Sequence, residues 1–230
     1  MSTAPSTLRT AVIGVGYLGK FHADKYASLP NSKLVAIADP SEEHGKACAD
    51  KHGVEWIQDY RDLIGKVDAV SIAAPTTLHH RIAKELLEAG IHVLVEKPIT
   101  VTLDEADELI RIARSNDLTL QVGHLERFNA AVLDLEPVLK TPKFIEAHRL
   151  APYKPRATDV NVVLDLMIHD IDIILDIVNS DVTDIAACGT NVLSESTDIC
   201  NVRLSFANGC VANVTASRIS MKSERKMRIF

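Results

Sequence analysis

The sequence lacks any uninterrupted apolar run long enough to cross a bilayer, although 47% of its 230 residues are hydrophobic. That apolar fraction can build a substantial core, in one large domain or two modest ones. The chain opens with MSTAPSTLRTAVIGVG, where a short apolar run continues straight into a glycine pattern. We therefore expect no signal peptide, no membrane anchor and no membrane partner.

A basic excess is also missing. The chain has 25 Lys and Arg against 31 Asp and Glu, a formal net charge of -6 at pH 7. Nucleic-acid-binding domains favour a basic stripe, so we expect no nucleic-acid partner. The four cysteines form no Cys-x-x-Cys pair and show no metal-ligand spacing; they are Cys48, Cys188, Cys200 and Cys210. This usage predicts reduced thiols in a cytoplasmic protein, without a metal site.

The first half of the chain alternates between apolar strands and helices. We delimit strands within TAVIGVG, KLVAIAD, VDAVSIAAP, IHVLVEKP and LTLQVGH, and count six strands with five mostly helical connections. Between the second and third of these segments, SEEHGKACADKHG reads as a helix with Ser41 as its N-cap and Gly53 as its stop. The alternation predicts an α/β fold with a doubly wound parallel sheet over residues 1–122.

A Gly-x-Gly-x-x-Gly pattern follows the first strand and opens the first helix. The first glycine permits a tight turn, the second admits a pyrophosphate, and the third lets helix and strand approach closely. The expected dinucleotide contacts in this loop are Gly14, Gly16, Tyr17, Leu18 and Gly19. Asp39 ends the second strand, where a carboxylate accepts both ribose hydroxyls of NAD and repels the 2′-phosphate of NADP. The pattern predicts a Rossmann domain that prefers NAD.

Ligands of such sheets lie at the carboxyl ends of the strands, which makes the residues there candidates. Two short stretches stand out: Pro75–Thr76, and Glu96 with Lys97. Lys97 places an ammonium at the mouth of the sheet, on a backbone that Pro98 stiffens and could hold in the cis form. A surface salt bridge between Glu96 and Lys97 is the plainer alternative, although neighbouring strand residues point to opposite faces.

The second half changes period, and predicts an α+β domain over residues 123–230. Alternating strands are expected in KFIEAHRLAP, DVTDIAACGTNV, TDICNVRLSFANGCVANVTASRIS and KMRIF, in a mostly antiparallel open sheet. Asn208 and Gly209 give a two-residue hairpin signal. The chain stops on an alternating segment, so we expect this domain to be incomplete and the chain to be truncated. Basic residues near the end are either a phosphate patch or guards of an edge strand.

One helix packs on this sheet, in VVLDLMIHDIDIILDIV at residues 162–178. At helical period Asp165, His169, Asp172 and Asp176 fall on one stripe. The apolar residues Leu164, Ile168, Ile171 and Leu175 fall on another. The helix is thus amphipathic, with an acidic face that contains one titratable imidazole. Two residues at i and i+4, without a third ligand, make a metal site the weaker interpretation.

Three motifs together carry a resemblance to a known family. VIGVGYLGKFHADKYASLP, HVLVEKPIT and VLDLMIHDIDI, in this order, resemble the Gfo/Idh/MocA family of nicotinamide-dependent sugar and inositol oxidoreductases. The resemblance implies that Lys97 contacts the reacting hydroxyl and that Asp165 and His169 flank the substrate. His169 is then the expected general base, because an imidazole titrates near neutral pH. His79, one turn into the helix after AAP, matches a cofactor-site histidine of the family.

The resemblance also bears on substrate and assembly. GHLERFNAAV and the segment 149–172 look most like the subgroup that oxidises the 3-hydroxyl of UDP-N-acetylglucosamine or a near relative. The polar residues expected against a nucleotide sugar are Arg127, Asn129, Arg149, Tyr153 and Arg156. Asn161 replaces a glycine that is frequent in the family. A free-sugar or inositol dehydrogenase and a non-catalytic dinucleotide-binding protein stay open as alternatives, and the family implies a homo-oligomer.

Overall fold

The computed structural model describes residues 7–135, 137–154 and 160–230. The chain divides into two compact units, Met1–Gly123 and His124–Phe230. Within the described ranges, no helix is long and apolar enough to span a membrane. No group of three His, Cys, Asp or Glu side chains in the same ranges is placed to hold a metal ion.

The first unit is built on a sheet of six parallel strands in the order β3-β2-β1-β4-β5-β6. The strands are β1 Leu8–Ile13, β2 Ser32–Ala38, β3 Glu55–Ile57, β4 Ala69–Ile72, β5 His92–Val95 and β6 Leu120–Val122. This confirms the predicted doubly wound sheet. The short strand β3, which the sequence analysis counted but did not delimit, occupies one edge next to β2.

Four helices connect these strands: α1 Gly19–Ser28, α2 Glu42–His52, α3 Thr76–Glu88 and α4 Leu103–Ser115. A 3₁₀ turn, Tyr60–Leu63, follows β3. Ser41 caps α2 by accepting the amide of His44, and Gly53 ends it with φ of 65°, as predicted. Apolar side chains of the strands fill two buried clusters, so the strands are nearly continuous apolar runs.

The second unit is built on a five-stranded sheet in the order β11-β7-β10-β9-β8. Its strands are β7 Phe144–Leu150, β8 Val182–Thr190, β9 Ile199–Phe206, β10 Val211–Ser217 and β11 Glu224–Ile229. Strands β7 and β10 pair in parallel, and the other pairings are antiparallel. The mostly antiparallel open sheet predicted from the sequence is therefore confirmed.

The hairpin between β9 and β10 corrects one detail of the sequence analysis. Phe206 donates its amide to the carbonyl of Cys210, so three residues rather than two form the loop. Gly209 supplies the left-handed residue of that loop, with φ of 83°. A three-residue hairpin with glycine in this conformation is the next most common solution after the two-residue turn.

The second unit contains the helices α5 Ala130–Leu135 and α6 Ile168–Val178. A 3₁₀ turn, Leu125–Phe128, precedes α5. A π-turn, Val163–Met167, precedes α6, and the amide of Ile168 reaches the carbonyl of Val163, five residues back. The predicted helix over 162–178 is therefore not regular, because Asp165 lies in the wider turn. Asn161 caps the start of this helical segment, because its side-chain oxygen accepts hydrogen bonds from the amides of Val163 and Leu164.

The buried side of α6 also differs from the expected one. Asp170, Ile173, Ile174 and Val178 are buried, whereas Leu175, placed on the apolar stripe by the sequence analysis, is 41% exposed. The buried face of α6 therefore includes Asp170, and it is rotated about the helix axis relative to the apolar stripe predicted from the helical period. The side chain is buried because it is paired, as described below.

Candidate functional site

The glycine-rich loop between β1 and α1 is closely packed where the first and third glycines stand. A Cβ on Gly19 would lie 1.8 Å from the carbonyl oxygen of Gly14, and one on Gly14 would lie 2.9 Å from the carbonyl oxygen of Ala73. Gly14 also has φ of 82°. Around the position of a Cβ on Gly16 there is no atom within 4 Å. Gly14 and Gly19 thus allow the loop to pack closely, and Gly16 leaves the backbone open to a ligand.

Between the second and third glycines of the motif, the two side chains are exposed, whereas Val15, between the first two, is buried. Tyr17 is 73% exposed and Leu18 is 41% exposed, while Gly19 begins α1 and is buried. Tyr17 packs edge-on against Phe21, with ring centroids 5.7 Å apart. The loop therefore offers an apolar rim beside open backbone, as a bound dinucleotide requires.

Asp39 holds this loop in place. One carboxylate oxygen accepts the amide of Val15 at 2.8 Å and the other accepts the amide of Ser41 at 2.8 Å. Its backbone carbonyl accepts the indole of Trp56 at 3.1 Å. Asp39 is only 8% exposed. The side chain that the sequence analysis assigned to a ribose is therefore also a structural anchor of the glycine loop, which sequence spacing did not reveal.

A cavity of 870 Å³ opens beside these residues, wholly within the first unit. Its walls include the glycine loop, Asp39 and Pro75, together with two arginines, Arg61 and Arg81. Arg61 faces Asp59 at 3.5 Å and Glu85 at 3.4 Å. Thr76, the first residue of α3, is buried next to Pro75. The volume lies in the range of small-molecule and cofactor sites.

His79 joins two strand ends of the first unit. Its Nδ1 lies 2.9 Å from the carbonyl oxygen of Pro98 and its Nε2 lies 2.8 Å from that of Ala74. The side chain is 1% exposed. Ala74 lines the cavity, so His79 ties the cavity wall to the turn that carries Lys97. The structure thus places the predicted cofactor residue behind the cavity wall, where it supports that wall.

Lys97 is partly buried directly after β5, and the Lys97–Pro98 peptide is cis. Glu96 beside it is buried, and it is not a surface residue. Its Oε1 lies 2.9 Å from Nε2 of His22, and its Oε2 accepts the amide of Lys97 at 3.3 Å. Glu96 and His22 are both buried. A salt bridge on the surface, the plainer alternative, does not fit a Glu96 that is buried and paired with His22.

Asp165 and His169 belong to the second unit and are both partly buried. Asp165 lies in the π-turn and its amide donates to the carbonyl of Asn161 at 3.0 Å. His169 lies in the first turn of α6. Asp165 also lines a cavity of 190 Å³ with Arg149 and Arg218. The two residues thus stand on one continuous helical segment, and Asp165 faces a cavity of its own unit.

The carboxylates of α6 engage two of the arginines expected to bind substrate. Arg127 makes a two-pronged pair with Asp172, at 2.8 and 2.7 Å, and also reaches Asp176 at 2.7 Å. The hydrogen bonds that Arg127 donates to Asp172 raise the pKa of Arg127 despite partial burial. Arg149 makes a two-pronged pair with Asp170 at 2.8 and 2.9 Å, and both side chains are buried. The sequence analysis missed both pairs.

The remaining residues expected to bind substrate are more exposed. Asn129 begins α5, where its side-chain oxygen accepts the amide of Ala131 at 3.0 Å. Tyr153 is 38% exposed. Arg156 lies outside the described residues. Asn129 is therefore placed as a helix cap, and Tyr153 remains available to a ligand on the surface of the second unit.

A buried polar centre lies behind the π-turn. Asp198 is fully buried and pairs with Arg218, whose Nε lies 2.8 Å from Oδ1. Arg218 also donates to the carbonyl of Val160 at 3.0 Å, and Val162 donates its amide to the carbonyl of Thr197 at 3.0 Å. This centre fixes the start of the segment that carries Asp165. No pattern in the sequence indicated it, because the partners are far apart along the chain.

Comparisons with known proteins agree with this geometry. The family described as an oxidoreductase family with an NAD-binding Rossmann fold, Gfo/Idh/MocA, matches residues 8–124. The C-terminal domain of the same family matches residues 141–230. The chain belongs to the Gfo/Idh/MocA family. This membership confirms the predicted enzyme class, a dehydrogenase with an NAD-binding Rossmann fold.

Individual relatives extend the comparison. The UDP-N-acetylglucosamine 3-dehydrogenase of Acidithiobacillus ferrooxidans is 40% identical over 224 residues, which are 97% of this chain and 71% of that protein. Its solved structure matches with a TM-score of 0.91, over 97% of this chain and 73% of that one. The scyllo-inositol 2-dehydrogenase (NAD(+)) of Bacillus subtilis is 28% identical over 93% of this chain and 68% of that protein.

A structure with ligands shares the fold. The scyllo-inositol dehydrogenase of Lactobacillus casei, solved with NAD(H) and scyllo-inositol, matches with a TM-score of 0.86 at 22% identity. The match covers 98% of this chain and 74% of that one. At this identity the likeness concerns the fold alone. It agrees with the predicted architecture of a parallel sheet followed by a mostly antiparallel one.

Proposed function

We propose that the chain is an NAD-dependent dehydrogenase that oxidises a secondary hydroxyl of a sugar. The leading substrate is UDP-N-acetylglucosamine, at its 3-hydroxyl, or a related nucleotide sugar. The observation that carries this choice is the 40% identity, over 97% of this chain, to an enzyme of that name. Residues 1–122 are then the NAD-binding domain, and residues 123–230 the domain for substrate binding and oligomerisation.

The first unit fits a dinucleotide. The open backbone at Gly16 admits a pyrophosphate, and the close approach of Gly14 to Gly19 places the first turn of α1 beside it. The adjoining cavity of 870 Å³ receives the rest of the cofactor. NAD, when bound, supplies the acceptor for the hydride. The chain's own residues then have to hold the alcohol and remove its proton.

The surroundings of Asp39 support NAD over NADP. A 2′-phosphate at this position would bring its negative charge against a buried carboxylate. Arg61 shares the cavity but already faces Asp59 and Glu85, which reduces its ability to compensate a phosphate. Removing the Asp39 carboxylate would also leave the amide of Val15 without this acceptor. The preference for NAD over NADP and the shape of the glycine loop therefore depend on the same side chain.

Three side chains are assigned to the chemistry. Lys97 holds the reacting hydroxyl, His169 accepts its proton as the general base, and Asp165 orients the sugar or the imidazole. A positioned general base contributes about 10²–10⁴-fold to the rate. The assignment is supported by partial burial of all three, which leaves them reachable by a ligand while restricting their motion.

The nucleotide portion of the substrate is assigned to Arg127, Asn129, Arg149, Tyr153 and Arg156. A guanidinium carries five N–H groups, of which Arg127 uses three and Arg149 two in the hydrogen bonds described above, so each retains further donors. The carboxylates of α6 nevertheless neutralise the charge of both arginines. We therefore expect the arginines to contribute to substrate binding by hydrogen bonds more than by net charge. This feature supports the second candidate, an inositol or free-sugar dehydrogenase, which needs no diphosphate pocket.

The deciding experiment measures NADH formation by this chain with UDP-N-acetylglucosamine, N-acetylglucosamine and myo-inositol, each with NAD and with NADP. Turnover only with the nucleotide sugar and NAD is the expected result. Turnover with inositol alone would replace the leading substrate by the second candidate. Absence of turnover with every pair, in a chain whose melting temperature rises with NADH, would favour a non-catalytic dinucleotide-binding protein.

His169→Ala tests the assignment of the base. Turnover should fall by about 10²-fold or more while the dissociation constant of NADH stays nearly constant. The matched control is His148→Ala, a half-exposed histidine on β7 of the same unit. An unchanged rate in His169→Ala would remove this residue from the mechanism.

Assembly and location complete the proposal. Helix α6 and the π-turn pack against one face of the second sheet, while Asn201 and Arg203 of β9 are exposed on the other face. A homo-oligomer formed through this open face would cover it. The protein is proposed to act in the cytoplasm, in keeping with four cysteines that are all free. Sedimentation velocity of the purified chain tests the oligomer.

A further inference from the structure

A buried chain of hydrogen bonds runs through the first unit to the backbone of Lys97. The hydroxyl of Ser71, on β4, lies 2.6 Å from Nδ1 of His22, on α1. Nε2 of His22 lies 2.9 Å from Oε1 of Glu96, and Oε2 of Glu96 accepts the amide of Lys97 at 3.3 Å. We call Ser71, His22, Glu96 and this amide the His22 network.

Both ring nitrogens of His22 are paired within the network. A carboxylate oxygen accepts, so Nε2 donates to Glu96, while Nδ1 shares a hydrogen bond with the Ser71 hydroxyl, which can donate or accept. Every polar atom along this line therefore has a partner of the right kind, which a buried network needs to hold one geometry.

The space around Glu96 is as restricted as its hydrogen bonds. A Cβ on Gly123, directly after β6, would lie 3.1 Å from Oε1 and 3.3 Å from Oε2 of Glu96. Glu96 is 5% exposed and His22 is 9% exposed, so water does not replace either partner. The carboxylate is thus confined between His22 on one side and Gly123 on the other.

We propose that His22 is a positioning residue for Lys97: it holds the Glu96 carboxylate, which in turn holds the Lys97 backbone amide and so sets the direction of the ammonium-bearing side chain. The inference rests on the proposed role of Lys97 in holding the reacting hydroxyl. His22 itself touches neither substrate nor cofactor in this scheme. Its effect is therefore expected on the rate with bound substrate, and not on cofactor affinity.

The test compares His22→Leu with His22→Gln. Leucine leaves the Glu96 carboxylate without its donor, whereas the Nε2 amide of glutamine reaches nearly the same place as the imidazole nitrogen. We expect His22→Leu to lower kcat by about 10²-fold, the cost of a misplacement of roughly 1 Å at a reacting group. His22→Gln should recover most of this rate. KM for NAD should change less than kcat in both variants.

A second variant approaches Glu96 from the other side. Gly123→Ala inserts a methyl group at 3.1–3.3 Å from the carboxylate, so it should reproduce part of the loss of kcat without altering any hydrogen-bonding group. The matched control is His92→Gln, at the opposite end of β5, where Nδ1 accepts the amide of Thr119 at 2.9 Å. That substitution should leave kcat unchanged.

Hydrogen exchange of the Lys97 amide provides a readout that does not depend on activity. The amide should be protected in the wild type and in His22→Gln, and should exchange at least tenfold faster in His22→Leu. Equal exchange, or an unchanged kcat in His22→Leu, would overturn the inference. If the wild type shows no turnover while exchange follows the expected order, the proposed function fails and the positioning of Lys97 by His22 stands.

Discussion

Replacing Asp198 by asparagine is expected to destabilise the second unit by about 3–5 kcal/mol at neutral pH, the cost of breaking a buried ion pair. Oδ2 of Asp198 accepts the amides of Val192, Leu193 and Ser194 at 2.8, 2.7 and 2.9 Å. Oδ1 accepts the Ser194 hydroxyl at 2.7 Å and Nε of Arg218 at 2.8 Å. The carboxylate therefore accepts five hydrogen bonds in a fully buried position.

Asparagine keeps one acceptor oxygen and replaces the other by a donor. If its NH₂ group faced the three backbone amides, three partly buried donors would lose their acceptor, at about 1–3 kcal/mol each for buried groups. The NH₂ group is therefore expected to turn toward Arg218, which is 4% exposed and would lose the negative charge of this partner. The orientation with the NH₂ group toward Arg218 costs less free energy than the other one. The expected destabilisation of about 3–5 kcal/mol refers to this orientation.

The pH dependence has a definite sign. Burial by itself raises the pKa of Asp198, but the Ser194 hydroxyl, the backbone amides and Arg218 outweigh it and hold the pKa far below its usual range. The carboxylate thus contributes its stability fully above the unfolded pKa of about 3.9, and loses it progressively as pH falls below that value. The difference between wild type and Asp198→Asn should be constant near neutral pH and narrow below about pH 4.

Urea unfolding followed by circular dichroism measures both quantities, at neutral pH and in an acid series. Asp184→Asn is the control, because this aspartate is exposed on β8 and its replacement should change stability by less than about 0.5 kcal/mol. A loss smaller than about 1 kcal/mol in Asp198→Asn would refute the account of the buried pair. A difference that persists unchanged at strongly acid pH would refute the role of the carboxylate charge.

Three further predictions concern the first unit and the cysteines. Gly19→Ala should abolish the rise in melting temperature caused by NADH, because its Cβ would lie 1.8 Å from the carbonyl oxygen of Gly14; an unchanged rise would show that the loop binds no dinucleotide. NADH should quench the fluorescence of Trp56, the only tryptophan, since its indole donates to Asp39 at the cavity; fluorescence that stays constant while the melting temperature rises would place the cofactor elsewhere. A thiol reagent should modify one cysteine in the folded protein, the exposed Cys188, because burial raises the pKa of Cys48, Cys200 and Cys210; rapid reaction of more than one thiol would contradict this.

Local patterns predicted the parts of the fold that depend on neighbours in sequence. Ser41 and Gly53 bound α2 because a side-chain cap and a left-handed residue act within one turn of chain. The glycine loop was predictable for the same reason, since Gly14 and Gly19 meet within a single turn. Strand β3, with three residues, has too short an apolar pattern for its bounds to be predicted.

Side chains whose partners are distant in sequence were beyond prediction. Period alone placed polar residues of 162–178 on one face, yet Asp170 is buried because Arg149, 21 residues earlier, neutralises it. The structural role of Asp39 was missed for a similar reason, because its hydrogen bond from the amide of Val15 forms only when β1 and β2 lie side by side. Likewise, spacing identified Lys97 but gave no sign of His22, which is 75 residues earlier.

Because of the π-turn Val163–Met167, the directions of the side chains that precede α6 depend on the number of residues in that turn. Loss of one residue between Asp165 and His169 would restore regular α-helical hydrogen bonds and leave the core contacts of α6 in place. It would also shorten the separation of Asp165 and His169 from four residues to three, and so change the direction of one side chain relative to the other. A single-codon deletion could therefore redirect the Asp165 carboxylate without any substitution. At the π-turn, chain length rather than residue type therefore sets the direction of the Asp165 carboxylate within its unit.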